Sequence, residues 1–318
     1  MRPIVFILLF ITVFAKAQTS FQEAQSLFMD SQFEAAEPLF RSHLETNPNH
    51  LKTIEYLGDI AGHKKQWDKA INYYKALVKA KPDRANYHYK YGGVMGMQAL
   101  EVNKLKALGM IGDIKRAFKA AAELDPKHID VRWALVEFYI QLPGIIGGSE
   151  RTAISYADEL ENLSKVDGYL AKGYIAEYSN RPNDAEIYYK KAIEVGGSVT
   201  CYQKLTSLYE NTTKEPQKAI TIIEESQTKH KRNGLHYQIG KVCAKYNVDL
   251  DKGIKCLDTY IKNHSSTDGV PKSWAYYRLA QIYKHKGNKD KALKYIDLAL
   301  SKKPLKPFKK EKQAILLL

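Results

Sequence analysis

The chain has 318 residues, of which 44% are hydrophobic and 26% are charged, and its formal net charge at pH 7 is +14. Three cysteines, an odd number, exclude a disulfide framework as the basis of the fold. After residue 17, no stretch of the sequence is apolar enough to span a bilayer as a helix, which needs ~20 apolar residues.

The N-terminal segment has the pattern of a secretory signal peptide. Arg2 supplies a positive charge, residues 4–14 form an apolar run, and Ala15-Lys16-Ala17 places small residues at a cleavage site. The apolar run is too short for a comfortable membrane span, although an uncleaved anchor is the alternative. We expect residues 1–17 to be a signal peptide cleaved near Ala17, and the mature chain to be soluble and exported, periplasmic or secreted.

From residue 18 to residue 304 a short pattern recurs: a small residue, a large apolar residue four positions later, and a proline eight positions beyond that. Clear copies are Ala36–Phe40–Pro48, Ala70–Tyr74–Pro82 and Ala292–Ile296–Pro304. Pro48 and Pro82 are 34 residues apart. A period of 34 is typical of a helix-turn-helix solenoid, in which each unit buries its apolar surface against its neighbours. The small residues let two helices approach closely, and the large residue fills the space beside them.

These phrases resemble those of the tetratricopeptide repeat family. The best copies are Tyr276-x2-Leu279-Ala280-x2-Tyr283 with Ala292-x3-Ile296-x2-Ala299 and Pro304; Leu57-Gly58 with Ala70, Tyr74 and Pro82; and Gly173 with Ala185, Tyr189 and Ala192. The resemblance implies an all-α, right-handed superhelical solenoid of about eight repeats over residues 18–304. It also implies a C-terminal capping helix at residues 305–318, because terminal repeats need a cap.

The third repeat is longer than the period allows. Pro82 and Pro126 are 44 residues apart, and the extra residues keep helical spacing between residues 95 and 112. We expect a long helical hairpin near residues 92–114 that projects beyond the array. Insertions in repeat proteins are often binding sites. The alternative is that the hairpin covers a neighbour's apolar surface.

A second interruption is the inserted loop at residues 143–148, Pro143-Gly144-Ile145-Ile146-Gly147-Gly148. Pro143 is predicted to stop one helix and Ser149 to cap the next. No strand precedes the loop, and it lacks the Lys-Ser/Thr pair of a phosphate-binding loop. We interpret it as a packing or contact loop, with an anion site as the alternative.

Basic charge is concentrated at the C-terminal end, where residues 270–318 have a net charge of +10. We interpret this excess as a solvated, lysine-rich helix face. The apolar end at residues 314–318 is predicted to pack back on the array. An anionic membrane surface is a possible partner for this basic end. Nucleic acid is not expected for an exported chain.

In tetratricopeptide repeat proteins the first helix of each repeat, helix A, lines the concave surface. The corresponding positions of this chain carry aromatic and charged side chains, which suit a groove for a peptide. These positions are Tyr56, Asp59, Tyr89, Lys90, Trp133, Glu137, Tyr174, Glu177, Lys204, Tyr237, Lys241, Trp274, Tyr277 and Arg278. The alternative is that several of these rings pack between adjacent repeats.

The sequence contains no nucleophile elbow, no zinc-protease motif and no Walker loop, and its nine histidines are scattered. No Cys or His pair has zinc-ligand spacing, so neither a metal site nor a cofactor is predicted. The sequence therefore predicts a non-catalytic scaffold or adaptor of the bacterial cell envelope that binds a segment of another protein in the groove. Two alternatives stay open: a peripheral membrane-associated assembly factor that uses the basic C-terminal end, and an enzyme with an active site between repeats.

Overall fold

The computed structural model describes residues 21–318, so the predicted signal peptide lies outside the described residues. Within residues 21–318 the regular secondary structure is helical, and no strand is present. These residues divide into two compact units, 21–159 and 160–318. Each unit is a stack of antiparallel helix pairs, in which a helix A is followed by a helix B.

Four helix pairs occupy the chain from residue 21 to residue 163. Their bounds are α1 (21–29) and α2 (Phe33–Thr46), α3 (Leu51–His63) and α4 (Trp67–Ala80), α5 (Ala85–Glu101) and α6 (Lys104–Leu124), and α7 (Ile129–Gln141) and α8 (Glu150–Leu163).

Four further pairs and a final helix follow. They are α9 (Lys165–Tyr178) and α10 (Pro182–Val195), α11 (Val199–Ser207) and α12 (Pro216–His230), α13 (Asn233–Tyr246) and α14 (Leu250–Lys262), α15 (Lys272–His285) and α16 (Lys289–Lys302), and α17 (Lys306–Leu316). Helix α11 continues into a π-helical turn at Leu208–Thr212.

Small and large residues of the repeated pattern meet where helices A and B cross. A Cβ atom at Gly58 of α3 would lie 3.0 Å from the ring of Tyr74, which is buried on α4. At the equivalent crossing of α9 and α10, a Cβ at Gly173 would lie 2.4 Å from the Tyr189 ring. The backbones therefore approach as closely as the sequence pattern predicts. The all-α prediction of stacked helix pairs is confirmed.

The turn from helix A to helix B repeats its backbone path. Ser31, Lys65, Asn180 and Lys214 adopt left-handed φ values between 55° and 59°. Ser31 and Lys65, like Asn180 and Lys214, are 34 residues apart. The amide that follows Ser31, Lys65 or Asn180 donates to a carbonyl five residues earlier, as from Gln66 to Ala61 at 2.8 Å. After Lys214, which follows the π-helical turn, the amide of Glu215 donates to a carbonyl six residues earlier. The period of the sequence is therefore also a period of the backbone conformation.

The third pair is longer than its neighbour, as predicted. Helices α5 and α6 have 17 and 21 residues, against 13 and 14 in α3 and α4. Measured from the A–B crossing, the two helices extend further by ~6 Å and ~10 Å at 1.5 Å per residue. At the tip, Leu100 is 74% exposed and Leu105 is 82% exposed. The tip of the hairpin therefore does not cover a neighbour's apolar surface.

The loop between α7 and α8 has the predicted ends. Helix α7 stops before Pro143, and the Ser149 hydroxyl accepts from the Thr152 amide at 3.2 Å, which caps α8. A Cβ at Gly148 would lie 1.7 Å from the Leu142 carbonyl oxygen, so the path of the loop requires glycine there. The loop presents Ile145 almost fully to solvent.

Helix α17 packs on the last helix pair. Phe308 and Ile315 are fully buried against a cluster that includes Ala280, Ala292 and Ile296 of α15 and α16. This packing confirms the predicted capping helix. The prediction that all of residues 314–318 pack back is wrong, since the side chains beyond Ile315 are exposed and Leu317 is 89% exposed.

Candidate functional site

Two of the tyrosines predicted to line a groove lie inside the helix packing instead. Tyr56 is buried, its ring stacks on Phe40 with centroids 4.8 Å apart, and its hydroxyl accepts from Gln25 at 2.9 Å. Tyr237 is buried beside the ring of Tyr260, 5.4 Å away between centroids. The groove prediction is therefore corrected for Tyr56 and Tyr237, because their rings fill space between helices and are closed to a partner.

Other predicted aromatic positions are partly exposed and partly used between repeats. The Tyr89 ring of α5 lies 5.1 Å from His128, at the start of α7. The Trp274 ring lies 5.0 Å from Phe308 of the capping helix. On α7, Trp133 is half-buried and Glu137 is exposed. Part of the aromatic surface thus joins α5 to the start of α7 and α15 to the capping helix.

In the first unit, Lys90 is already neutralised by the preceding repeat. Its ammonium group lies 2.8 Å from Asp59 and 2.9 Å from Glu55, both on α3. Burial lowers the pKa of Lys90, but the two carboxylates outweigh burial and leave that pKa raised. This predicted cation therefore stabilises the contact between α3 and α5, with little charge left for a ligand.

A similar arrangement recurs in the second unit around Glu210, which lies in the π-helical turn. Lys241 and Lys245 of α13 contact its carboxylate at 3.0 and 3.1 Å. Burial raises the pKa of Glu210, but hydrogen bonds and charges from the two lysines outweigh burial and leave the pKa lowered. One carboxylate is shared by two ammonium groups, so one positive charge is left over.

Glu177 connects α9 to the next repeat through neutral donors. The hydroxyl of Tyr189 donates to it at 3.0 Å, and the hydroxyl of Thr212 donates at 2.7 Å. The first bond joins α9 to α10 of its own repeat, and the second holds the end of α9 against the π-helical turn that follows α11.

Two cations of the second unit face aromatic rings rather than carboxylates. Lys204 Nζ lies 5.7 Å from the ring centroid of Tyr174, and the Arg278 guanidinium lies 5.0 Å from that of Tyr277. Among residues 21–318, no carboxylate lies within salt-bridge distance of Lys204 or Arg278. Within the same range, Arg278 Nε is buried with no hydrogen-bond partner, although one terminal nitrogen donates to Gln281 at 2.8 Å.

Side-chain contacts join the helices A of the second unit in order. Lys204 of α11 reaches Tyr174 of α9, and Lys241 of α13 reaches Glu210. From α15, His285 bonds the Ala244 carbonyl of α13 at 3.0 Å. The partly exposed side chains along these helices form what we call the helix-A surface. Its residues are Tyr174, Lys204, Lys241, Tyr277 and Arg278.

Sequence reasoning found Lys90 and Lys241 but missed Lys245 and the carboxylates Glu55 and Glu210. The spacing contains a signal that could have found them. Lys90 follows Asp59 by 31 residues and Glu55 by 35, and Lys241 and Lys245 follow Glu210 by the same 31 and 35. Opposite charges about one repeat apart on helix A therefore predict an ion pair between adjacent repeats.

No helix in residues 21–318 combines the length and the apolar character that a membrane crossing requires. In the same range, no group of three or more His, Cys, Asp or Glu side chains could hold a metal ion.

Comparison with known proteins gives consistent matches. Family models of the tetratricopeptide repeat match residues 21–85, 166–195 and 275–304. Among solved structures, a tetratricopeptide repeat protein from Parabacteroides merdae is similar with a TM-score of 0.52 and 12% identity. The match covers 94% of this chain and 98% of that one. At this identity the likeness concerns the fold alone.

Two curated relatives are similar in sequence. Protein O-mannosyl-transferase TMTC3 of Mus musculus is 25% identical over 181 residues, or 54% of this chain, and that of Homo sapiens is 24% identical over 198 residues, or 59%. The matches cover 19% and 21% of those proteins. The chain thus spans about a fifth of the length of the curated relatives that it matches.

Proposed function

Because the chain is a tetratricopeptide repeat protein, we propose that it is a non-catalytic scaffold that binds an acidic segment of another protein along the helix-A surface. Proteins built from such repeats offer extended surfaces for other proteins. The observation that carries the choice of an acidic segment is a pair of cations, Lys204 and Arg278. Within residues 21–318 their aromatic and hydrogen-bonding partners are the uncharged side chains of Tyr174, Tyr277 and Gln281.

Carboxylates are the ligands that these cations lack. An Arg guanidinium can bind a carboxylate through two parallel hydrogen bonds, and charge-assisted bonds are about twice as strong as neutral ones. Arg278 has terminal guanidinium N–H donors besides the one that binds Gln281, and a carboxylate of the bound segment can accept from them. Lys204 can bind a second carboxylate of the same segment, since the two residues lie on α11 and α15 of one unit.

The tyrosines beneath the cations contribute in two ways. Tyr174 and Tyr277 hold Lys204 and Arg278 over their ring faces, which reduces the conformational freedom that a ligand would otherwise have to restrict. Their rings also add apolar contact area with a polar end. An acidic segment that carries apolar side chains between its carboxylates would therefore match this surface best.

The proposal is tested with an array of unstructured peptides of acidic, neutral and basic composition and the labelled protein as probe. We expect the native protein to prefer acidic peptides with interspersed apolar residues. Peptides selected in this way are then titrated against Lys204→Glu and Arg278→Glu. Each variant is expected to bind about tenfold more weakly or worse, since a hydrogen bond to a charged group contributes about 1.5–3 kcal/mol.

A matched control is Lys191→Glu. Lys191 also lies over tyrosine rings, 5.7 Å from Tyr169 and 5.5 Å from Tyr188, but it belongs to helix B of its repeat. This control should bind the selected peptides as the native protein does. Equal losses in Lys191→Glu and Lys204→Glu would mean that net charge alone governs binding, and the proposed site would be rejected.

We also propose that the scaffold acts outside the cytoplasm, in the bacterial cell envelope. The support is the signal-peptide pattern of residues 1–17, which the structure does not describe. Fusion of residues 1–25 to an alkaline phosphatase that is active only after export tests this proposal. Activity that disappears when Leu8 and Leu9 are replaced by Asp is the expected result, and an inactive native fusion contradicts export.

A further inference from the structure

The tip of the α5–α6 hairpin combines exposed leucines with lysines in one short segment. Leu100 lies in the last turn of α5, and Leu105 lies in the first turn of α6. Met97 and Leu108 lie one turn further from the tip on the same two helices. Met97 and Leu108 are 45% and 46% exposed, less than the two leucines nearest the turn. Exposure of the apolar side chains therefore rises toward the end of the hairpin that projects furthest.

Positive charge surrounds these leucines. Lys104 and Lys106 flank Leu105, and within residues 21–318 neither lysine has a carboxylate at salt-bridge distance. The acidic residue of the tip, Glu101, is already bound by Lys65 at 3.1 Å and by the Trp67 indole N–H at 2.7 Å. The tip thus presents an apolar end with two uncompensated positive charges.

We propose that this tip docks on the surface of an anionic phospholipid bilayer. Leucine side chains at the end of the hairpin enter the boundary between headgroups and acyl chains, where burial of apolar surface favours binding. Lys104 and Lys106 have aliphatic stems long enough to follow the leucines inward while their ammonium groups stay at the anionic headgroups.

Shape and area favour a bilayer over a folded protein as the occupant. A stable protein interface buries about 800 Å² on each partner and requires complementary shape. Four apolar side chains on a narrow projecting hairpin offer far less than a flat interface of that size. A fluid bilayer closes around a narrow projection without a preformed pocket, and its negative surface complements the two lysines.

Vesicle sedimentation of the protein that comprises residues 21–318 tests the proposal. The native protein should bind vesicles of equimolar phosphatidylcholine and phosphatidylglycerol, and should bind phosphatidylcholine vesicles much more weakly. The Leu100→Ser/Leu105→Ser variant should bind anionic vesicles at least about tenfold more weakly, because it loses the buried apolar surface. Lys104→Ala/Lys106→Ala should lose about thirtyfold, from about 1 kcal/mol for each lysine near an anionic surface.

Two matched controls distinguish binding by the tip from binding by any exposed apolar side chain or any exposed lysine. Ile187→Ser/Val195→Ser removes apolar side chains of α10 that are 53% and 52% exposed. Lys309→Ala/Lys310→Ala removes two exposed lysines from the basic C-terminal end. Both controls should bind anionic vesicles like the native protein. If the C-terminal pair causes the loss and the tip pair does not, the basic end is the membrane contact and the proposal is overturned.

Depth of insertion gives a second readout. The emission of the added tryptophan is obtained by subtracting the spectrum of the native protein from that of the variant. When anionic vesicles are added, this emission should shift to shorter wavelength in Leu105→Trp and should not shift in Ile187→Trp. Light scattering without lipid tests another occupant, a second copy of this chain. Dimers that depend on Leu100 and Leu105, or an unshifted Leu105→Trp spectrum on vesicles, would contradict docking of the tip on lipid.

Discussion

Adjacent glycines on α5 give a direct test of the close helix crossing. A Cβ at Gly92 would lie 2.8 Å from two atoms of the buried Phe118 ring on α6, whereas a Cβ at Gly93 would meet no atom within 4 Å. Both residues lie inside the same helix. We predict that Gly92→Ala and Gly93→Ala change the stability of the first unit in clearly different ways.

The expected magnitudes follow from two terms. In a helix interior, alanine is favoured over glycine by about 0.8–1.0 kcal/mol, and both variants gain this amount. Only Gly92→Ala also forces atoms into a filled space, which costs about 1–3 kcal/mol. Gly93→Ala should therefore stabilise α5 by about 1 kcal/mol, and the two variants should differ by about 1–3 kcal/mol.

Native-state hydrogen exchange of the α5 and α6 amides is the suitable assay, since arrays of repeats can open in parts. The opening free energies of both variants are compared with those of the native protein. Gly92→Ala should cost less stability in a protein that already carries Phe118→Leu than in the native protein. The smaller leucine side chain leaves the space that the new methyl group needs. Equal opening free energies for Gly92→Ala and Gly93→Ala would refute the reasoning that small residues set the helix spacing.

Three further predictions follow from the same structure. The carboxyl of Glu210 has a folded-state pKa below its ordinary value of 4.5. Its ion pairs therefore stabilise the fold above pH 4.5, and this stability is lost as the pH falls through the lower folded-state pKa. Urea unfolding at a series of pH values should show the decrease in the free energy of unfolding, and Glu210→Gln should make that decrease smaller. Gly148→Ala should expose the α7–α8 loop to limited proteolysis, because its Cβ would collide with a backbone carbonyl, whereas Gly144→Ala, which meets no atom within 4 Å, should leave the cleavage rate unchanged. In the native protein a soluble disulfide reagent should modify Cys256 before Cys243. Cys243 is fully buried, and burial raises the pKa of its thiol to about 12. Faster modification of Cys243 would contradict this order.

A local pattern of small and large residues, repeated about every 34 residues, allowed the fold to be predicted from the sequence. A small residue such as Ala70 and a large one such as Tyr74 have the same roles at each crossing, and Lys65 occupies the same left-handed turn position as Ser31 one repeat earlier. Such features depend on a few neighbouring residues, so pattern and spacing suffice to predict helix pairs, turns and the longer third hairpin.

The surface chemistry depended on the tertiary structure. Tyr56 and Tyr277 occupy helix-A positions that look alike in sequence, yet one ring is buried and the other is partly exposed beneath a guanidinium. Likewise, Lys90 is neutralised by two carboxylates of the preceding repeat, whereas Lys204 lies over the ring of Tyr174. Successive residues of a helix are ~100° apart around its axis. A shift of one residue along the helix therefore decides whether a side chain faces a neighbouring helix or solvent. The neighbour lies about one repeat away in the chain, and only the packing of the helices determines which side chain it places there.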